Sequence, residues 1–453
     1  MNRPAAFGSI ILLICLSASP ARSQDRVRPS AEELPRHGVI GLKIAPPHPD
    51  RPEDPVKNPP AVAAVAPGGA GEAAGIQVGD VVRALDGVEI SSSVEFAKSI
   101  SRHLAGDIVR LQLVREGKEI TRAATLKPRP FETAPFAEIL YSSVVVDTAR
   151  RRTIVTRPNP PGRYPAVLLM GGLGCYSLDG ELTLENGYGP ILAALAKQNF
   201  VTMRVEKTGE GDSEGPPCTD LKATAELEAA GYVAGLRALK KYEFVDPTRV
   251  FVFAHSLGPL IGSLVLPQES VRGFIAAETI GRSWFEYGVE NVRRQFALVG
   301  EPLDQVNDAV IAHAGCAYHF FIEHEPGPEV EKLGPPCQDM IRSYAGVPYP
   351  YMQQIGDINL AKQWKQADIP VLVLYGTSDP ATSADEGRYL TGLINSFHPG
   401  RATFVELPGM GHDFGRYASQ LEFLNRRNDG KPHPFDGEVL TAVLRWLDQQ
   451  LQK

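Results

Sequence analysis

Residues 251–262 read FVFAHSLGPLIG. A run of large apolar residues stops at Ala254, a small-residue turn carries Ser256, and an apolar helical pattern starts at Gly258. Continuous apolar runs of this kind mark strands buried on both faces of a parallel sheet. A serine exposed on a sharp strand-to-helix turn is usually flanked by glycine two positions before and two after, because the turn crowds both. Here the turn reads A-H-S-L-G, so Ala254 adds one methyl and Gly258 fills the second place. Serine is also a good helix N-cap. The stretch alone therefore leaves Ser256 as either a nucleophile or a cap.

The surrounding sequence favours the nucleophile. PAVLLM (165–170), FVTMRV (200–205), GFIAAE (273–278), IPVLVLYG (369–376) and ATFVELP (402–408) read as further buried strands. Helical patterns such as ATAELEAAGYVAGLRALKKY separate them. This alternation predicts an α/β fold, with a mainly parallel sheet covered by helices on both faces. Ligands of such sheets sit at the carboxyl ends of the strands. A serine hydroxyl needs a base, and the base needs a carboxylate to orient it. Asp379 follows the strand 369–376 and His412 follows the strand 402–408, so both fall at the same sheet edge as Ser256. Asp385 is the alternative acid. His255 is expected to point away, and His398 precedes its strand at the opposite edge. For a tetrahedral oxyanion two N–H donors are required. Leu257 is one, and the loop GGLG supplies Leu173 or, alternatively, Gly172. A phosphate cradle is the competing reading of GGLG, but the Gly-Lys-Ser/Thr ending and the G-x-G-x-x-G spacing are both missing.

Together with RVEKTGEGDSEG (204–215), these motifs resemble the α/β-hydrolase superfamily over residues 138–453. The resemblance implies catalytic roles for Ser256, Asp379 and His412 and no metal or organic cofactor. It points to esterases, acyl hydrolases and serine aminopeptidases. It also implies a helical cap at about 280–365, where Trp284, Phe285, Tyr287, Phe320 and Phe321 either line an acyl pocket or pack the cap itself.

Residues 38–127 have a different texture of short alternating strands and glycine turns. Gly75, Gly79-Asp80, the Asp86-Gly87 hairpin turn and the upstream HGVIGL (37–42) resemble a PDZ domain of the bacterial, protease-associated kind. By that resemblance Val39, Ile40 and Gly41 offer backbone N–H groups to the C-terminal carboxylate of a peptide or protein, which adds as a strand at the sheet edge. The Pro-rich insertion 45–60 departs from the pattern and either obstructs or extends the groove. A fold kept only for packing or dimerisation is the alternative. The Pro-rich segment 128–137 reads as a linker.

The chain has 453 residues, enough for two or three units. A net charge of -7 and the lack of a Lys/Arg run argue against a nucleic-acid partner. Residues 1–23 read as a signal peptide: Arg3, an apolar run from Phe7 to Leu16, and Ala21 and Ser23 before the cut. That run is about half of the roughly 20 residues a membrane span needs. The expected location is periplasmic or secreted. Past the signal, Cys175, Cys218, Cys316 and Cys337 remain, and four cysteines allow three pairings. Cys175 and Cys218 follow neighbouring strands at the active edge, and Cys316 and Cys337 both fall in the cap, so these are the expected pairs. The leading expectation is an exported serine hydrolase of carboxylic esters. A serine peptidase and a catalytically silent PDZ scaffold are the alternatives.

Overall fold

A computed structural model describes residues 34–45, 60–344, 346–426 and 433–452. The signal segment 1–23 and nearly all of the insertion 45–60 lie outside the described residues.

The C-terminal unit is built on eight strands: β1 (Ala137–Val146), β2 (Ala149–Pro158), β3 (Tyr164–Met170), β4 (Val201–Val205), β5 (Val245–His255), β6 (Gly273–Ala277), β7 (Val371–Gly376) and β8 (Ala402–Leu407). Their spatial order is β1-β2-β4-β3-β5-β6-β7-β8. β2 is antiparallel to both neighbours, and every pairing from β4 to β8 is parallel. Because side chains alternate along a strand, β5 feeds two cores. Val250, Val252 and Ala254 pack with helices Ala225–Leu239 and Gly258–Val265. Phe251 and Phe253 pack on the opposite face with helices Gly189–Lys197 and Glu438–Leu451. Each of these fully buried phenylalanines contributes about 1.5–3 kcal/mol.

The β1–β2 hairpin has no counterpart in the sequence expectation. Its second strand carries Arg150, Arg151 and Arg152, a polar pattern, yet Arg151 and Arg152 are only 2% exposed. Arg152 is paired with Asp212 at 3.2 Å. In β4, Arg204 is fully buried and grips the Glu132 carboxylate with both Nη atoms, at 2.6 and 2.5 Å. Glu132 belongs to the stretch read as a linker, which is therefore fixed to the sheet.

The N-terminal unit is an antiparallel sheet in the order Leu42–Ala45, Ala61–Val65, Val81–Leu85, Ile108–Arg115, Lys118–Thr125, with Val88–Glu89 beside the third of these. Asp86 and Gly87 both take positive φ, as a two-residue hairpin of this hand requires. A helix runs over Ser93–Ile100. Just beyond it the Gly38 N–H donates to the His103 carbonyl and Leu104 bridges to His37.

The two units are stitched together. Gly38–Val39 pairs with Lys127–Pro128, which closes the two ends of the N-terminal unit on each other. Arg36 Nη1 reaches Asp179 and Asp212 of the C-terminal unit at 2.6 Å each, with all three side chains nearly buried. Residues 34–37, which precede the N-terminal sheet, are thus anchored.

Between β6 and β7 lie the helices of the cap, among them Trp284–Leu298, Leu303–Ala317 and Pro335–Arg342. Phe320 and Phe321 are buried against Tyr344 inside it, so packing is their role. Disulfides join Cys175 to Cys218 and Cys316 to Cys337.

Candidate active site

β5 ends at His255, and the next residue turns sharply. Ser256 sits at φ +59°, in the left-handed region that side chains other than glycine rarely occupy. Backbone bonds hold it there: its N–H donates to the Ala277 carbonyl at 2.9 Å, and its own carbonyl accepts from Thr279 Oγ1 at 2.7 Å. Gly258 is required at this turn. A Cβ there would lie 2.8 Å from the Met170 carbonyl oxygen and 3.0 Å from that of Gly171. The Ala254 methyl lies 3.3 Å from that same point, so the bare Gly258 also leaves room for it.

Ser256, His412 and Asp379 come together at the carboxyl edge of the sheet. Ser256 Oγ is 3.0 Å from His412 Nε2, and His412 Nδ1 is 2.9 Å from Asp379 Oδ2. The carboxylate can only accept, so His412 Nδ1 carries the hydrogen and Nε2 accepts from the serine hydroxyl. Asp379 is fully buried. Its Oδ1 accepts from Ala381 N at 2.6 Å and Thr382 N at 3.3 Å, and its Oδ2 accepts from Thr382 Oγ1 at 2.6 Å. Burial alone would raise its pKa, but the attraction and hydrogen bond of His412, with those donors, outweigh it and hold the carboxyl well below the usual range. Asp385 is exposed on the following helix, 3.3 Å from Arg388, and takes no part.

Leu173 and Gly172 lie in the loop after β3. Gly172 packs on the serine, since a Cβ there would be 3.1 Å from Ser256 Cβ. Its N–H donates to Tyr188 Oη at 3.2 Å and is engaged, whereas its carbonyl accepts from Lys207 Nζ at 2.7 Å and Tyr176 Oη at 3.3 Å. The peptide leading into Leu173 is thus held through its carbonyl by two donors. Lys207 is buried between this carbonyl and Glu228, 3.4 Å away.

Three contributors were given no role by the sequence. His255 turns away from the serine as expected, but it has a use. Its Nε2 lies 2.9 Å from the His412 carbonyl oxygen and its Nδ1 2.8 Å from Tyr188 Oη. Nε2 must therefore donate and Nδ1 accept, which yields one chain from Gly172 through Tyr188 and His255 to the His412 backbone. Tyr188 is the second contributor and the buried Glu278, at the end of β6, the third. Glu278 was within reach of the rule that located Asp379, for it closes the strand GFIAAE at the same edge.

Burial, with the neighbouring His412, depresses the His255 pKa to about 3. Between that value and the ordinary histidine range the unfolded chain binds a proton that the folded one refuses. Stability therefore falls as pH drops through this window, by about 1.4 kcal/mol per pH unit. Denaturant unfolding at pH 4 to 6 should show that slope in the wild type and a shallower one in His255→Asn.

A separate cleft of about 800 Å³ lies at the edge strand of the N-terminal unit. Val39, Ile40, Gly41, Phe96 and Ile100 line it, together with residues 209–211 of the C-terminal unit. Arg129 also faces it and donates to Ser177 Oγ at 3.0 Å.

Residues 167–424, more than half of the chain, match the model of the alpha/beta hydrolase family, and the chain belongs to that family. Residues 38–126 match the PDZ domain model. Among solved structures, Est1E from Butyrivibrio proteoclasticus, with ferulic acid bound, is 16% identical, with 69% of this chain and 99% of that one covered and a TM-score of 0.43. Acetyl xylan esterase 1 from Thermoanaerobacterium sp. JW/SL YS485 is 16% identical, with 62% and 80% covered and a TM-score of 0.39. The esterase Pf2001 from Pyrococcus furiosus is 13% identical, with 62% and 87% covered and a TM-score of 0.39. At these scores they carry no weight on substrate. No curated protein matches the chain.

Proposed function

We propose that the protein is an exported serine hydrolase of carboxylic esters, with a PDZ groove that docks the C-terminus of a peptide or protein. The observation that carries this reading is the unbroken hydrogen-bond chain from Ser256 Oγ through His412 to Asp379. Ser256 Oγ attacks the carbonyl carbon while His412 Nε2 takes its proton. Asp379 keeps the imidazole in the required tautomer and offsets the charge that forms on it. The oxyanion lies between the N–H groups of Leu257 and Leu173. Collapse expels the alcohol, protonated by His412, and water activated by the same histidine releases the acid.

Support for an ester comes from the half-buried aromatic start of the cap, Trp284, Phe285 and Tyr287, whose Tyr287 hydroxyl donates to Ala381 O beside the Asp379 turn. Export is supported by the N-terminal signal pattern and by two disulfides, which persist in oxidising compartments. A peptidase is the second reading, favoured by a peptide groove on the same molecule. The test is a panel of p-nitrophenyl esters and aminoacyl p-nitroanilides, with fluorophosphonate labelling. Faster ester turnover is expected. Faster anilide turnover would establish the peptidase, and a folded protein that neither labels nor turns over would leave a PDZ scaffold.

A further inference from the structure

A second acid stands behind Asp379. Glu278 directly follows β6, is completely buried, and is held at φ +49°. Its Oε1 accepts the Gly376 N–H at 2.7 Å, at the end of β7. Its Oε2 meets no donor among the described residues. Yet one oxygen of Glu278, one of Asp379 and a ring nitrogen of His412 all lie within 4.8 Å of one another.

Two carboxylates this close and sealed from water cannot both be ionised. The donors decide which one keeps the charge. Asp379 has four of them, from Ala381, Thr382 twice, and His412. Glu278 has one. The proton therefore resides on Glu278, and Oε2 changes from an acceptor without a donor into a donor. The acceptor at hand is the Asp379 carboxylate.

We propose that Glu278 is a neutral carboxylic acid that positions Asp379, bridging the Gly376 backbone to the Asp379 carboxylate and so fixing the acid against His412. This rests on the serine-hydrolase reading of the site. Burial raises the Glu278 pKa far above the usual carboxylate range, and the Asp379 charge pushes the same way. The titratable groups facing it are Asp379 and Tyr375 from β7 and its turn, and His412 and Asp413 from the loop after β8.

The test uses the full mature chain with ring-labelled histidine. The His412 titration is followed by NMR in wild type, Glu278→Gln and Glu278→Leu, beside kcat and KM for p-nitrophenyl acetate across pH. Leucine removes the donor to Asp379, which leaves the carboxylate a stronger partner for the imidazolium. The His412 midpoint should rise, and kcat should fall about tenfold at unchanged KM through looser positioning. Glutamine still accepts from Gly376 and still donates to Asp379, so it should recover most of kcat and keep the midpoint. An ionised Glu278 predicts the opposite sign: both variants would lower the midpoint by about one unit or more, and the proposal would fall. It would fall equally if leucine moved neither quantity. Should the leucine variant not fold, the glutamine midpoint decides alone. The titration needs no turnover. Expected midpoints without any hydrolysis would therefore sink the hydrolase reading alone, and normal hydrolysis with the wrong midpoints would sink Glu278 alone.

Discussion

Ser256→Ala is expected to lower kcat for p-nitrophenyl ester hydrolysis by about 10⁴- to 10⁶-fold and to abolish fluorophosphonate labelling. The size follows from the chemistry. Without the hydroxyl no acyl-enzyme can form, and only substrate binding and the oxyanion donors remain to assist water. The variant should fold normally. The two bonds that hold the turn, from the Ser256 N–H to Ala277 and from Thr279 to the Ser256 carbonyl, use backbone atoms that alanine keeps. Alanine also keeps the Cβ that packs on Gly172. The strain at φ +59° is much the same for either side chain. Thermal unfolding of the two proteins should therefore nearly coincide. A well-folded variant that retained a tenth of the wild-type rate would place the nucleophile elsewhere.

The second large effect concerns the bond between Cys175 and Cys218. It closes a loop with a sequence separation of 43, for which chain entropy assigns about 4 kcal/mol of stabilisation. It also braces the segment beginning at Gly171 against the segment after β4. Leu173 lies two residues from one end of the bridge, and Lys207, the clamp on the Gly172 carbonyl, lies in the loop that reaches the other. Replacing both cysteines with serine should lower the melting temperature and cut kcat by about 10²-fold, the scale on which an oxyanion donor acts. The matching pair of substitutions at Cys316 and Cys337 should lower stability with little change in kcat, because that bridge lies within the cap. Equal effects of the two pairs on kcat would contradict the role given to the oxyanion loop.

The strands β3 to β8 were legible because each is an apolar run that ends in small or turn-forming residues. The edge rule then picked out Ser256, Asp379 and His412 from residues more than 30 positions apart. The β1–β2 hairpin was hidden for a physical reason. Arg150, Arg151 and Arg152 break the apolar pattern, while Asp212 and Glu214, the carboxylates that pair with Arg152 and Arg150, stand some sixty residues further on. No local window contains both halves of such a pair. The same holds for the chain through Tyr188 and His255, whose members meet only after the sheet has formed. Phe320 and Phe321 show the opposite limit. Aromatic residues in a cap sequence look alike whether they face a substrate or one another.

Arg204 and Arg36 bear on how this molecule can be taken apart or inherited. The buried guanidinium in β4 owes its counter-charge to Glu132, upstream of the first strand, and Asp179 faces Arg36, which precedes the PDZ sheet. Neither partner lies within the region that matches the hydrolase family. A fragment starting at β1 would strand a cation inside the sheet and an acid at its surface. The two units are thus not freely exchangeable modules, and any recombination that swaps one of them must carry the charges of the other across the boundary.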